Sequence, residues 1–598
     1  MRSLFIILIA FAIILPSFAR TLAQARRQSN DDYPAQWREA RLNNFNPADR
    51  TTYSQRFYIN DDYYYYDSTS NDYPVWILEI GEEGEMTGPA QGVIAFAIIL
   101  PSFARTLAQA RRQSNDDYPA QWREARLNNF NPADRTTYSQ RFYINDDYYY
   151  YDSTSNDYPR FYINDDYYYY DSTSNDYPVW ILEIGEEGEM TGPAQGGDEI
   201  STLAQYFNAR IYGLEHRFYG QSQPFNDLTT DHLRYLTPEQ ALADVAGFID
   251  EQNQAEFPND YLPGKPFARI ITVGGSYAGG LSAWFRLKYP HLAVASLASS
   301  GVVNAIKHFV EFDQQHRLAL QQDENCDLAA RYIIRIAENY VSDVDLKTEY
   351  YDNLNLDANM DVGDAFYISV DSMVMAAQYG HQEELCGRIV DPYNSGDDDA
   401  LMDAYYDFFN NWWTPNMNPN GSDAYDANHL KEDGPDMLTD PCASARTWWF
   451  EKCATNFYWQ ISDGDDSIRS PTYTTEAYHR DMCKRVFGDP FTDDDANYVT
   501  NNNETNYNFG GGNYNGEKVV FYNSWQDPWN RAGVTITNDY KRRPVEFVKA
   551  YDVGHCQDLH NPSDDDAQGL KMARNGIRTD LEGWVDDSLY FKDHRGDF

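Results

Sequence analysis

From residue 179 onward the apolar positions of the chain follow two alternating patterns. Nearly unbroken apolar runs at Val179–Ile184, Ala209–Leu214, Arg269–Val273 and Ala293–Ala298 predict strands buried on both faces. Between them the spacing lengthens to three and four. Thr237-Pro238-Glu239-Gln240 opens one such stretch with a capping box and a proline in the first turn, predicting a helix through Ile249, and Leu281–Lys288 reads as another helix. Two more buried strands are expected late, at Lys518–Tyr522 and Val545–Ala550. Strands alternating with helices imply a parallel sheet covered on both faces, because parallel crossovers place the helices there. The intervening residues 303–514 carry helical periods instead, as at Ala329–Val341 and Leu401–Trp413, and read as a helical insertion over a cleft.

The amino-terminal third is patterned by repetition. Residues 9–74 recur letter for letter as 94–159, and residues 56–92 recur as 160–196. Solenoid units diverge at their surfaces, so perfect identity points to a recent duplication or an error in the assembled gene. Joining residues 1–92 to Gly197 would give each segment once. The expected organisation is a signal peptide over 1–19, a duplicated block in excess over 20–159, the first part of the sheet domain over 160–302, the helical cap over 303–514 and the second part over 515–598. The copy Val179–Gly196 is expected to enter the sheet, because it runs directly into Gly197.

Charge and cysteine content narrow the setting. With 47 Lys+Arg against 93 Asp+Glu the formal charge is -46, which excludes nucleic acid as a partner. Arg2, the apolar run Leu4–Leu15 and the small residues before Ala19 form a secretory signal pattern, too short for a stable membrane span. Six cysteines in an even set suit an oxidising compartment, and six thiols can pair in about 15 ways. No pair falls at C-x-x-C spacing, so no metal site and no cofactor are expected. Asn420 and Asn503 head N-x-[ST] triplets and are candidate glycosylation sites.

The chemistry concentrates at three places. The strand at Arg269–Val273 runs into Gly274-Gly275-Ser276-Tyr277-Ala278-Gly279 and then a helix, the pattern of a nucleophile elbow. A serine hydroxyl attacks only when a histidine takes its proton, and that imidazole needs a carboxylate to orient it and stabilise its cation. Asp527 lies five residues beyond the strand ending at Tyr522, and His555 lies five beyond the one ending at Ala550. Serine, aspartate and histidine in that order, each in a loop after a strand, predict an α/β-hydrolase fold with Ser276, Asp527 and His555 as catalytic residues.

These segments, Gly274–Gly279, Asn523–Trp529 and Gly554–Asp558, resemble the signature regions of the prolyl carboxypeptidase and dipeptidyl peptidase II family of serine peptidases. Glu215–Gly220 and Gly185–Gly188 are similar to two further blocks, and the cysteine-rich stretch looks closest to the thymus-specific serine protease branch. Two departures stand out: Ala278 replaces the commoner glycine, and Ser299-Ser300-Gly301-Val302 stands where many members have Ala-Pro after the serines.

The resemblance implies a serine exopeptidase cleaving after proline or a small residue, with the insertion as its cap, secreted or lysosomal, acting on a peptide substrate. It implies a carboxypeptidase or a dipeptidyl peptidase without deciding between them. The backbone N–H of Tyr277 would be the first oxyanion donor, with a second from Gly185 or Glu186, and Trp529 would help line the proline pocket. The disulfides implied are Cys326–Cys386 and Cys453–Cys483, with Cys442 left for Cys556. Glu215, His216 and Arg217 read more readily as a structural ion-pair cluster. An esterase or lipase on the same fold and a secreted non-catalytic binding protein are the competing functions, and association into a homodimer is compatible with all three.

Overall fold

A computed structural model describes residues 36–41, 52–57, 118–149, 178–194, 198–260, 262–488, 491, 501–537 and 539–593. The chain divides into two compact units, residues 1–117 and 118–598. The expected signal peptide lies outside the described residues. In the first unit the described part is one antiparallel pair, β1 (Gln36–Arg41) and β2 (Thr52–Phe57).

The second unit is built on an eight-stranded sheet. Its strands are β3 (Gln121–Arg126), β4 (Thr137–Asn145), β5 (Val179–Ile184), β6 (Arg210–Leu214), β7 (Arg269–Gly275), β8 (Ala295–Ser299), β9 (Val519–Ser524) and β10 (Val545–Val548). They lie in the order β10-β9-β8-β7-β5-β6-β4-β3. From β10 to β6 every pairing is parallel, and β4 and β3 add an antiparallel edge. Helices α1 (Asp198–Phe207), α2 (Pro238–Glu256) and α3 (Ser276–Lys288) connect the early strands. Two apolar cores result. Trp180, Leu182 and Tyr212 pack with residues of α2 and α3, whereas Ile181, Ile211 and Ile271 pack with residues of α1 and a carboxyl-terminal helix within Gln568–Asp593. This is the expected α/β-hydrolase fold.

The patterns explain the layering. Strands β5, β8 and β9 are buried at every position because helices cover both faces, which is why each reads as a continuous apolar run. Edge strand β3 and the start of β4 alternate exposed and buried residues, whereas β4 is buried from Gln140 to Tyr143 where it docks on β6. Expected as a buried strand, β10 is instead a four-residue outer edge with Phe547 exposed.

The sheet takes up part of the duplicated block, so the domain starts earlier than the boundary expected at residue 160. Gln121–Asn145 docks onto β6 with the register Phe142↔Leu214. Buried charge fastens it there: Arg141 pairs with buried Glu215, and Tyr138 donates to Asp244 at 2.9 Å. The β1–β2 pair has the same sequence as β3 and the matching part of β4, and the same register, Gln36↔Phe57 answering Gln121↔Phe142.

The insertion is helical as expected, beginning with α4 (Val310–Leu320), α5 (Cys326–Tyr340), α6 (Val362–Gln378) and α7 (Gln382–Ser395), followed later by α8 (Ala443–Ala454) and α9 (Glu476–Phe487). Cys326–Cys386 bridges α5 to α7, and Cys453–Cys483 bridges α8 to α9. The expected Cys442–Cys556 bridge does not form; both thiols are free. Cys442 precedes α8 in the cap, whereas the Cys556 sulfur sits within 3.0 Å of where a Cβ on Gly275 would lie, against the elbow.

Candidate active site

β7 delivers Ser276 at its carboxyl end, where the chain turns into α3 within one residue. Ser276 has φ 53°, a left-handed conformation that costs a non-glycine residue of order 1–3 kcal/mol and is held only by its surroundings. Those surroundings are close backbone. A Cβ on Gly274 would lie 2.2 Å from the Ala278 carbonyl oxygen, and one on Gly279 2.7 Å from that of Ser299. Both positions therefore require glycine, while Ala278 is accommodated buried in α3. Val302 N–H donates to the Ser276 carbonyl at 3.3 Å and ties the turn to the loop after β8.

Asp527 follows β9, is fully buried, and caps a short 3-10 helix by accepting from Trp529 N–H at 2.9 Å. Its other oxygen lies 2.6 Å from His555 Nδ1. Burial disfavours the imidazolium, but the Asp527 carboxylate and the Cys556 sulfur outweigh it, so His555 titrates well above its ordinary value. The His555 loop is pinned from two sides, by His555 N–H donating to Gln378 O at 2.6 Å and by Cys556 N–H donating to Ser300 Oγ at 3.0 Å. Ser299 Oγ also bonds Asp558. The two serines thus brace the histidine loop, a role that sequence reading missed. Its only signal was the unusual Ser-Ser-Gly-Val itself.

Ser276 and His555 face one cavity of about 820 Å³. As the second residue of α3, Tyr277 presents an N–H with no partner within the helix. The loop after β5 supplies the opposite wall. There Gly185 N–H is already committed to Leu214 O at 2.9 Å, which leaves Glu186 as the better-placed second donor. The lining includes Glu186 and Glu187 and contains no lysine or arginine. Burial, reinforced by Glu186, raises Glu187 to about 8.

Trp529 is outside that lining. Its ring packs edge-on to Phe312 at 5.0 Å and to Tyr458 at 5.4 Å, in an aromatic cluster at the base of the cap. Arg217 pairs with Asp244 at 2.7 Å and Glu215 with Arg141, so the charged cluster is structural ion pairing. His216 lies 3.5 Å from Tyr277 Oη, and Glu451 on α8, which accepts from Tyr219 Oη at 2.6 Å, completes a buried polar contact between cap and sheet domain. Asn420 is exposed, with Nδ2 donating to Pro441 O at 3.0 Å, and Asn503 falls in a helix over Asn501–Phe509.

A strained serine beside a histidine–aspartate pair, with backbone donors opposite, can attack a carbonyl and hold the resulting oxyanion. The comparisons agree with that chemistry. A sequence profile described as serine carboxypeptidase S28 matches residues 151–577. The chain is 34% identical over 377 residues to a protein of Arabidopsis thaliana named "Probable serine protease EDA2", covering 62% of this chain and 72% of that one. It is 25% identical over 489 residues to the thymus-specific serine protease of Mus musculus, covering 78% and 87%. A shorter match, 39% identical over 122 residues, covers 20% of this chain and 23% of the lysosomal Pro-X carboxypeptidase of Pongo abelii.

Proposed function

The chain belongs to the serine carboxypeptidase S28 family and is a serine-type peptidase, and from that premise we propose that it cleaves peptides after proline or a small residue near their amino terminus, through an acyl-enzyme on Ser276. The observation that carries the assignment of roles is the 2.6 Å contact of His555 Nδ1 with buried Asp527, in the loop that faces the cavity shared with Ser276. His555 Nε2 takes the serine proton as the hydroxyl oxygen attacks the peptide carbonyl, and returns it to the leaving amine. Tyr277 N–H and Glu186 N–H receive the oxyanion. Water then attacks the ester with His555 as base, and the released acid restores Ser276.

The choice of peptide end rests on charge. A bound carboxyl terminus is favoured by a nearby cation, and the cavity lining offers no lysine or arginine. Glu186 and Glu187 instead place acidic groups in the lining, where a peptide ammonium can pair with them. The reading extends to location. The paired cysteines and the lysosomal relative support a secretory route ending outside the cell or in the lysosome. Among the described residues no helix is long and apolar enough to cross a membrane.

The test uses one proline-containing peptide in four forms: free, amino-terminally acetylated, carboxyl-terminally amidated and blocked at both ends. Products are identified by mass. Acetylation should stop cleavage and amidation should leave it; the opposite pattern would reverse the choice of end.

A further inference from the structure

Cys442 is a buried thiol that neither the catalytic site nor a disulfide uses. Around it three chain segments converge. His429 comes from the short helix Ala427–Leu430, Asp440 ends the 3-10 helix Pro435–Thr439, and Cys442 stands just before α8. One ligand atom from each, an imidazole nitrogen, a carboxylate oxygen and the sulfur, lies within 4.8 Å of the other two. Among the described residues no other set of His, Cys, Asp and Glu converges in this way.

We propose that His429, Asp440 and Cys442 form a binding site for one zinc ion in the cap. Zinc accepts sulfur, nitrogen and oxygen together, with bonds of about 2.0–2.3 Å, and needs donors gathered on one side of a point. The three residues provide that, and a water would complete a tetrahedron because His429 and Asp440 are only partly buried. The arrangement is oriented before any ion arrives. Cys442 N–H donates to Asp440 Oδ1 at 2.7 Å, and His429 Nε2 lies 3.2 Å from the same oxygen. Asn420 Nδ2 holds the Pro441 carbonyl between them at 3.0 Å. On binding, the Cys442 sulfur gives its proton to solvent and becomes the thiolate ligand.

The consequence is structural. The site would staple the 427–442 loop to the start of α8, the helix whose Glu451 reaches the sheet domain through Tyr219 and whose Cys453 bridges to α9. The spacing, His-x10-Asp-x-Cys, matches no familiar zinc pattern, and for that reason the sequence is silent on it.

The probe is cobalt, which takes zinc sites and colours them. The purified full chain, stripped with a chelator, is titrated with Co2+. One equivalent should bind, with a thiolate-to-cobalt charge-transfer band in the near ultraviolet, and zinc should displace it and raise the melting temperature. Cys442→Ala should abolish the band. His429→Ala, at a partly exposed position where folding is not at stake, should weaken cobalt binding by about 100-fold or more while fluorophosphonate labelling of the protein persists. Cobalt binding without the band, equal binding by wild type and His429→Ala, or Cys442 recovered in a disulfide would overturn the proposal.

Discussion

At the scale of single residues, the elbow and the His555–Asp527 contact predict graded losses. Ser276→Ala should abolish labelling by a fluorophosphonate and lower kcat by at least about 10⁴-fold with an unchanged melting curve, because only the attacking oxygen is removed. Asp527→Asn should cost about 10⁴-fold while still permitting slow labelling, since it leaves Ser276 in place but lets the imidazole take the wrong tautomer. A labelled Ser276→Ala protein would move the nucleophile elsewhere. Glu451 carries a different forecast. Burial raises its carboxyl from 4.5 to about 7, against the opposing bonds from Tyr219 and Tyr277. Between those values the folded chain keeps a proton that the unfolded chain has lost, so stability falls as pH rises from about 4.5 to about 7. The shift corresponds to about 3 kcal/mol. Glu451→Gln, which mimics the protonated form, should flatten this part of the melting-temperature profile; an unaltered profile would show that Glu451 is ionised in the fold.

Elements were legible in proportion to how completely each strand is buried. The runs ending at Ile184, Val273 and Tyr522 are covered on both faces, and such burial leaves an unbroken apolar signature in the chain. Ser276 and Asp527 followed from two of those strands, because each stands at a short, countable distance beyond one, whereas His555 was counted from the partly exposed β10. Edges were harder to read. β3 and β4 carry Arg123, Glu124, Arg126 and Arg141, and they lie inside repeats that look like low complexity. Their place depends on partners far along the chain, Glu215 and Asp244, which no local window contains. The Cys442–Cys556 pairing misled for a related reason: the resemblance implied two bridges and left these two cysteines over, and nothing local tells whether leftover thiols meet. Buried Glu215 makes the edge testable. The double variant Arg56→Leu/Arg141→Leu should lose about 3–5 kcal/mol in denaturant unfolding, because it takes the guanidinium from buried Glu215 and leaves only the bonds from Met190 N–H, Gln221 N–H and Ser222 Oγ, whereas Arg56→Leu alone should lose nothing measurable. A fully stable double variant would mean that Glu215 is satisfied without the hairpin.

For the whole molecule, the sheet needs one hairpin and one β5, and the chain carries spares of both. A protein joining residues 1–92 to Gly197 retains Gln36–Phe57 for the edge and Val75–Ile80 for the central strand, with nothing duplicated. We propose that it folds, labels and cleaves as the full chain does. The shorter connections help only slightly, since each halving of a loop returns about 0.6 kcal/mol, so the two melting temperatures should nearly coincide. Secretion of an inactive short protein beside an active long one would give the repeats a role of their own.

The chain carries two hairpins of identical sequence and register, and one of them, β3–β4, fills the place beside β6. Were the intact twin to take that place, a lesion in Gln121–Arg126 or in the β4 residues shared with β2 would be silent in this chain. Selection sees the pair, not either member. Whichever copy stays out of the sheet is free to drift, and each substitution it gathers against β6 makes the other indispensable, until the redundancy is spent and the edge of this enzyme again rests on one irreplaceable ribbon.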